Sequence, residues 1–346
     1  MHDLQANTRN LDRHDQAARR LDFSEIPQVD IAGLRGGDPA AAAAVGAALA
    51  EAMETVGFVY VTGHGMPGSQ LDATFEAMAR YFERPEAEKA GLDIHKLARH
   101  RGYVPFEGLH ADPHEGGADL QEAFELGLEL PADDPDYLAG NMMYGPNVWP
   151  ERPAEFRPVL SSYLDGVHAI GRLLFHGIAL GLGLPKDWFD DKIGKPMIQL
   201  RAIHYPQQPP REVDGRHIGI GAHSDYECFT ILAASQPGLQ VRNRRGEWID
   251  APPLPGAFII NIGDCMERWT NGRLVSTVHR VINRSGAERY SLAFFFGADY
   301  EATIECLPTC QGPDNPPKYP PVKAGDWTTS NIKAAYTYRA SEDARR

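Results

Sequence analysis

The sequence predicts an α+β fold, a double-stranded β-helix (jelly roll) core braced by helices that include one long backbone helix. Three observations predict it. From residue 196 onward the chain breaks into short β-rich runs separated by turn residues. Just upstream, apolar residues recur at helical spacing through Phe156, Leu160, Tyr163, Leu164, Val167, Ile170, Leu174, Ile178 and Leu182, giving an amphipathic helix across 153–183. Within the β-rich part, His223 and Asp225 sit two apart at a strand end and His279 lies in a later strand.

Composition narrows the class of function. The chain has 346 residues, 42% hydrophobic and 23% charged, which are ordinary globular proportions. Its net charge of −13 argues against nucleic acid or an anionic membrane as partner. No run reaches 18 uncharged apolar residues, and the first twenty residues mix His, Asp and Arg, unlike a signal peptide. Cys228, Cys265, Cys306 and Cys310 lack zinc-site spacing, so four thiols in a reducing cytoplasm are expected. Oligomeric state leaves no mark on the sequence.

Taken in order, residues 1–22 are polar and charged and predict a flexible tail; 23–346 form a single domain. Its first part, to about 195, opens with a strand at 26–31. Asp38-Pro39 then starts a helix to Thr55, with Asp as N-cap and Pro at the first helical position. Gly57-Phe58-Val59-Tyr60-Val61 is a strand, and 69–83 a second helix. Residues 92–145 lack periodicity and read as a loop flanking the active site, with His95, His100, His110 and His114 exposed and at no metal-site spacing. The jelly-roll part, about 196–306, predicts strands near 199–205, 217–222, 228–234, 238–243, 247–250, 257–262, 278–283, 290–297 and 302–305. Asp264, after Asn261-Ile262-Gly263, reads as a turn former. From 307 to 346 a Pro- and Gly-rich stretch leads to a short helix, 327–338, covering the barrel mouth.

The chemistry sits between residues 223 and 291. Side chains at i and i+2 of an extended segment share a face, so His223 and Asp225 project together while Ser224 turns away. His279 supplies a third ligand on the inner face of its strand. Two histidines and one carboxylate leave half an octahedron open, the facial arrangement of non-haem Fe(II) oxygenases; zinc enzymes use the same ligand types. Arg289 and Ser291 share the inner face of the strand beginning at 289. An inward arginine is costly unless a carboxylate meets it, and its planar fork suits a bidentate carboxylate. Open metal positions beside an anion receptor fit a dicarboxylate co-substrate.

The motif set extends well beyond these residues. Ile26-Pro27, Val29-Asp30, Gly57-Phe58-Val59-Tyr60-Val61, Gly63-His64-Gly65, Arg101-Gly102-Tyr103, Asn147-Val148-Trp149-Pro150, His204-Tyr205-Pro206, Asn261-Ile262-Gly263-Asp264 and the final Arg-x-Ser lie in one order across about 24–305. In this the chain resembles the Fe(II)/2-oxoglutarate-dependent dioxygenases of the isopenicillin N synthase-like family. The resemblance implies that His223, Asp225 and His279 bind Fe(2+) and are catalytic. It implies that Arg289, Ser291 and Tyr205 hold the distal carboxylate of 2-oxoglutarate, with O2 as oxidant and succinate and CO2 released. One departure stands out: plant members read Asn-Tyr-Tyr-Pro where this chain has Ile203-His204-Tyr205-Pro206.

A small-molecule substrate is expected, to be hydroxylated, desaturated or cyclised. Tyr103, Tyr226 and Phe296 are the aromatic side chains placed near the metal. Family members that use Arg-x-Ser for a substrate carboxylate, or that fragment 2-oxoglutarate itself, define an alternative. A non-catalytic barrel binding a metal or small acid is another.

Overall fold

The computed structural model describes residues 24–106, 120–207, 219–283 and 286–335. The predicted tail 1–22, His110 and His114, and the end of the predicted C-terminal helix beyond residue 335 lie outside them. The chain opens with β1 (Gln28–Asp30) and a one-turn helix, α1 (Ala32–Arg35). Asp38 then caps α2 (Pro39–Thr55), its carboxylate accepting from the Ala40 amide at 2.9 Å. Gly57, at φ 76°, turns the chain into β2 (Phe58–Thr62); a Cβ there would collide with the Val275 carbonyl, so glycine is required. α3 (Gly68–Phe82), the short α4 (Glu86–Lys89), β3 (Gly102–Val104), β4 (Glu122–Gly127) and the short α5 (Pro135–Leu138) follow.

The long helix is α6 (Phe156–Gly181). Pro158 falls in its first turn, where a missing N–H breaks no helical bond. Its apolar stripe, including Leu160, Tyr163, Val167, Leu174 and Ile178, is buried as the spacing predicted. It packs against α2 where Gly46 and Gly181 let the two backbones approach.

The remaining strands are β5 (Pro196–Tyr205), β6 (Ile220–His223), β7 (Phe229–Ala234), β8 (Leu239–Arg242), β9 (Trp248–Asp250) and β10 (Phe258–Ile262). After α7 (Asp264–Trp269) come β11 (His279–Val281), β12 (Arg289–Asp299), β13 (Thr303–Ile304), β14 (Val322–Lys323) and α8 (Ala324–Ala335). With the earlier strands they build two larger sheets and one two-stranded sheet. The major sheet runs β1-β2-β10-β7-β12-β5-β4-β3 and the minor one β6-β11-β8-β9. The register divides the major sheet cleanly. Phe294 and Phe296 of β12 lie against Gly171 of α6, so this face meets the helices. Alternate residues face the minor sheet and form the barrel interior.

Three expectations are corrected. Residues 302–305 do not join the barrel; β13 pairs with β14 in a separate two-stranded sheet. Part of the supposed loop 92–145 is strand, since β3 and β4 extend the major sheet beyond β5. The signal was hidden because Glu122 and Glu125 of β4 are charged yet buried. His100, expected to be exposed, is also buried, whereas His95 sits by Asp93 with its ring Nδ1 2.7 Å from the carboxylate.

Candidate metal centre and anion site

The two sheets meet at three side chains. β6 and β11 are antiparallel neighbours with His223 opposite His279, and their rings lie 4.4 Å apart between centroids. Asp225 follows β6 in the turn towards β7, and its Oδ1 is 3.6 Å from Nε2 of each histidine. These are the residues among those described whose ligand atoms converge closely enough to share a metal ion, all within 4.8 Å of one another.

Each ligand is held by a second contact that leaves the metal-facing atom available. His223 Nδ1 donates to the Gly221 carbonyl at 2.8 Å, and His279 Nδ1 to the Thr277 carbonyl at 3.1 Å. A carbonyl only accepts, so both rings keep an unprotonated Nε2 for a cation. Asp225 Oδ2 accepts from Thr230 at 2.5 Å and Asn261 at 2.7 Å, leaving Oδ1 to face the imidazoles. Phe58 of β2 packs edge-on against the His279 ring, 5.4 Å away.

Electrostatics favour ligation. Burial pushes His279 down to about 4, helped by the neighbouring His223, so its ring is neutral at physiological pH. Burial would raise the Asp225 carboxyl, but the charge that His279 and His223 carry when protonated, together with the Thr230 hydroxyl, outweighs it and holds the group well below the usual carboxylate range. Two other carboxyls are buried nearby. Burial raises Glu227 to about 8 and Asp264 to about 7, and neither joins the cluster. Asp264 begins α7, where its Oδ2 accepts from Ser224 at 3.1 Å. That agrees with a structural role at the strand end.

Along β12, Arg289 and Ser291 face inward, opposite Tyr205 and Ile203 of β5. Arg289 is 1% exposed, its guanidinium stacked 4.6 Å above the Tyr205 ring and its Nε donating to the Gln236 carbonyl. Its Nη1 and the Tyr205 hydroxyl, both buried, have no hydrogen-bond partner among the described residues. Burial presses the guanidinium towards losing its charge. A buried cation with an open donor is the arrangement a carboxylate would complete.

The three aromatic candidates fare differently. Tyr226, directly after Asp225, is half-buried, and its carbonyl accepts from the Trp327 indole of α8 at 2.7 Å. That contact ties α8 to the loop that follows Asp225. Phe296 and Tyr103 are not with the cluster. Phe296 is on the helix side, 5.1 Å from Phe175 and 5.4 Å from His168 between ring centroids. The residue on the inner face is Phe295, in register with the Asp225 partner Thr230. The one-residue error is a period-two error in the run Phe294-Phe295-Phe296, where three like residues give no phase. Tyr103 also faces the helices, donating at 2.6 Å to Glu122 and meeting Tyr81 of α3. The same Glu122 carboxylate takes Lys89 and His204, so Tyr103 belongs to a buried structural network. Arg101, of the same motif, bonds Asn147 Oδ1 at 3.0 Å and so ties two of the sequence motifs together.

These positions predict opposite outcomes for adjacent residues. Phe296→Ala should lower unfolding free energy by about 3–5 kcal/mol while leaving metal affinity intact. Phe295→Ala should cost much less stability and change substrate affinity. Denaturant midpoints measured beside metal titrations check the pair; a larger stability loss at 295 would reverse the assignment of faces.

A jelly roll with this ligand set and an inward arginine defines a non-haem iron oxygenase. Residues 26–152 match the family model described as non-haem dioxygenase in morphine synthesis N-terminal, and 197–298 match the 2OG-Fe(II) oxygenase superfamily. The chain belongs to that superfamily and is a 2-oxoglutarate-dependent dioxygenase using Fe(2+), 2-oxoglutarate and O2 on a small-molecule substrate. It is 36% identical over 317 residues to a 2-oxoglutarate-Fe(II) type oxidoreductase, hxnY, of Emericella nidulans, covering 90% of each chain. It is also 36% identical over 301 residues to a homoarginine-6-hydroxylase of Glycine max, covering 83% of this chain and 90% of that one. Among solved structures, a full-length Neurospora crassa protein in complex with alpha-KG and thymine superposes with a TM-score of 0.79 at 26% identity. That match covers 90% of this chain and 97% of that one. No helix among the described residues is long and apolar enough to cross a membrane.

Proposed function

We propose that His223, Asp225 and His279 hold the iron, that Arg289, Ser291 and Tyr205 hold the distal carboxylate of 2-oxoglutarate, and that the prime substrate is a compact polar molecule bound over Phe295. The observation that carries the co-substrate assignment is the buried Arg289 with its Nη1 unpartnered, among the described residues, beside the equally unpartnered Tyr205 hydroxyl. Bound iron supplies the redox chemistry that couples oxidative decarboxylation of 2-oxoglutarate to oxidation of the substrate. The protein's part is to fix geometry. Gly221 and Thr277 set the histidine tautomers, and Thr230 and Asn261 aim one Asp225 oxygen.

Relatives at equal identity differ in what their names say of substrate, an oxidoreductase on one side and a homoarginine hydroxylase on the other, while a structural neighbour binds thymine. The shared element is the co-substrate, so it is tested first. The iron-loaded protein should convert 2-oxoglutarate to succinate with O2 uptake, slowly alone and faster with its substrate. Oxygen uptake with no succinate would instead favour an oxidase that places a substrate carboxylate on Arg289.

A further inference from the structure

The three proposed ligands are not held alike. His223 closes β6 and His279 opens β11, and the two strands pair directly, so a sheet ladder fixes both histidine backbones. Asp225 lies between β6 and β7, outside either strand. Thr230 and Asn261 fix its Oδ2, but a carboxylate stays where they aim it only while the turn beneath it keeps its place. Asp225, Glu227 and Cys228 are buried, so the backbone groups of this turn need partners from other elements.

They find them one by one. The Asp225 carbonyl accepts at 2.7 Å from the Asp264 amide, at the start of α7. The Cys228 amide donates to the Phe296 carbonyl at 3.1 Å, and its carbonyl accepts from the Gly263 amide at 3.0 Å. Between these points the holder is α8. Trp327 Nε1 donates to the Tyr226 carbonyl at 2.7 Å, and the Thr328 hydroxyl donates to Glu227 Oε2 at 3.3 Å. Glu227 fits there because Gly297 of β12 has no side chain; a Cβ at 297 would lie 2.5 Å from the same oxygen.

α8 is itself fixed. Ala324, Thr328 and Ile332 recur at helical spacing and are buried. The Ala324 and Gly325 amides donate to the Ala302 and Tyr300 carbonyls at 2.8 and 2.9 Å. Arg268 of α7 packs its guanidinium over the Trp327 ring at 5.4 Å and over Tyr319 at 5.0 Å. An indole has one donor and no acceptor, and here that donor goes to the residue next to Asp225.

Building on the assignment of Asp225 to the metal, we infer that Trp327 is a positioning residue for that carboxylate. Its N–H holds the turn at Tyr226 so that Asp225 Oδ1 meets the cation together with the two imidazoles. The last helix of the described chain therefore contributes to metal affinity without supplying a ligand. Hydrogen-bonding partners behind a ligand are worth about 10- to 100-fold in metal affinity. Trp327 acts through the backbone while Thr230 and Asn261 stay in place, so its contribution belongs at the lower end, about tenfold.

The test titrates the metal-free full chain with Co(II), whose visible absorption reports its coordination, and follows denaturant unfolding in parallel. Replacing Trp327 by β-(3-benzothienyl)alanine removes the N–H and keeps the bicyclic ring, whereas Trp327→Phe removes both. Each should raise the Co(II) Kd about tenfold and alter the absorption of the loaded protein. The stabilisation gained from a fixed Co(II) concentration should shrink in step. A tryptophan that only packs would lower the metal-free midpoint and leave Kd and absorption unchanged, and that result would overturn the inference. So would weaker binding in Trp327→Phe alone, which would trace the effect to the ring. His223→Ala separates this from the metal assignment. If it binds Co(II) as tightly as the wild type, or the wild type binds none, the triad and the inference fail together. If it loses binding while both 327 variants keep theirs, the inference alone falls.

Discussion

Asp225→Ala is expected to abolish iron retention and turnover together. In the proposed triad the carboxylate is the one anionic member, so the remaining imidazoles would present no charge to the cation. Changing a residue that merely supports a ligand costs about 10- to 100-fold in metal affinity; removing the ligand should cost more than that. Two buried donors, Thr230 and Asn261, would lose their shared acceptor as well. Iron content after gel filtration, read beside the circular dichroism spectrum, separates a lost ligand from a lost fold. A folded variant that keeps wild-type iron and activity would show the triad to be misassigned.

Arg289→Ala should act on the co-substrate rather than on iron. Breaking a buried charge pair by removing one partner costs on the order of 3–5 kcal/mol, which corresponds to an increase of roughly two to four orders of magnitude in the KM for 2-oxoglutarate. Iron retention should persist, because the guanidinium is held by Gln236 and the Tyr205 ring rather than by either histidine or Asp225. Steady-state kinetics with 2-oxoglutarate as varied substrate measures it. An unchanged KM would place the distal carboxylate elsewhere and revive the reading in which this arginine serves a substrate acid.

The site was legible in the sequence wherever period-two alternation had a fixed phase. In Arg289-Tyr290-Ser291 a strand converts alternation directly into a shared face, whereas His223 ends β6 and Asp225 reaches the same cluster from the turn that follows. The long helix was legible for the same reason at its own period. Phe296 was misplaced because Phe294-Phe295-Phe296 contains no alternation from which to choose a face. β3 and β4 were missed because the inward side of β4 carries Glu125, whose partners Gln199 and Arg201 lie more than 70 residues further along the chain. A buried charge looks like a surface charge until its partner is known. Thr230 carried no local signal, and Asn261 stood in one of the sequence motifs without the hydrogen bond to Asp225 that gives it a role.

The order of strands in the major sheet has a further consequence. β2, from the N-terminal part, is hydrogen-bonded to β10, and β4 to β5, so the segment carrying every ligand is flanked on both sides by earlier chain. A fragment beginning at residue 196 would own all three proposed ligands and all three proposed anchors, yet expose two raw sheet margins and lose Phe58 from beside His279. The two matched stretches are thus halves of one woven object, and neither should be exchangeable between relatives without the other.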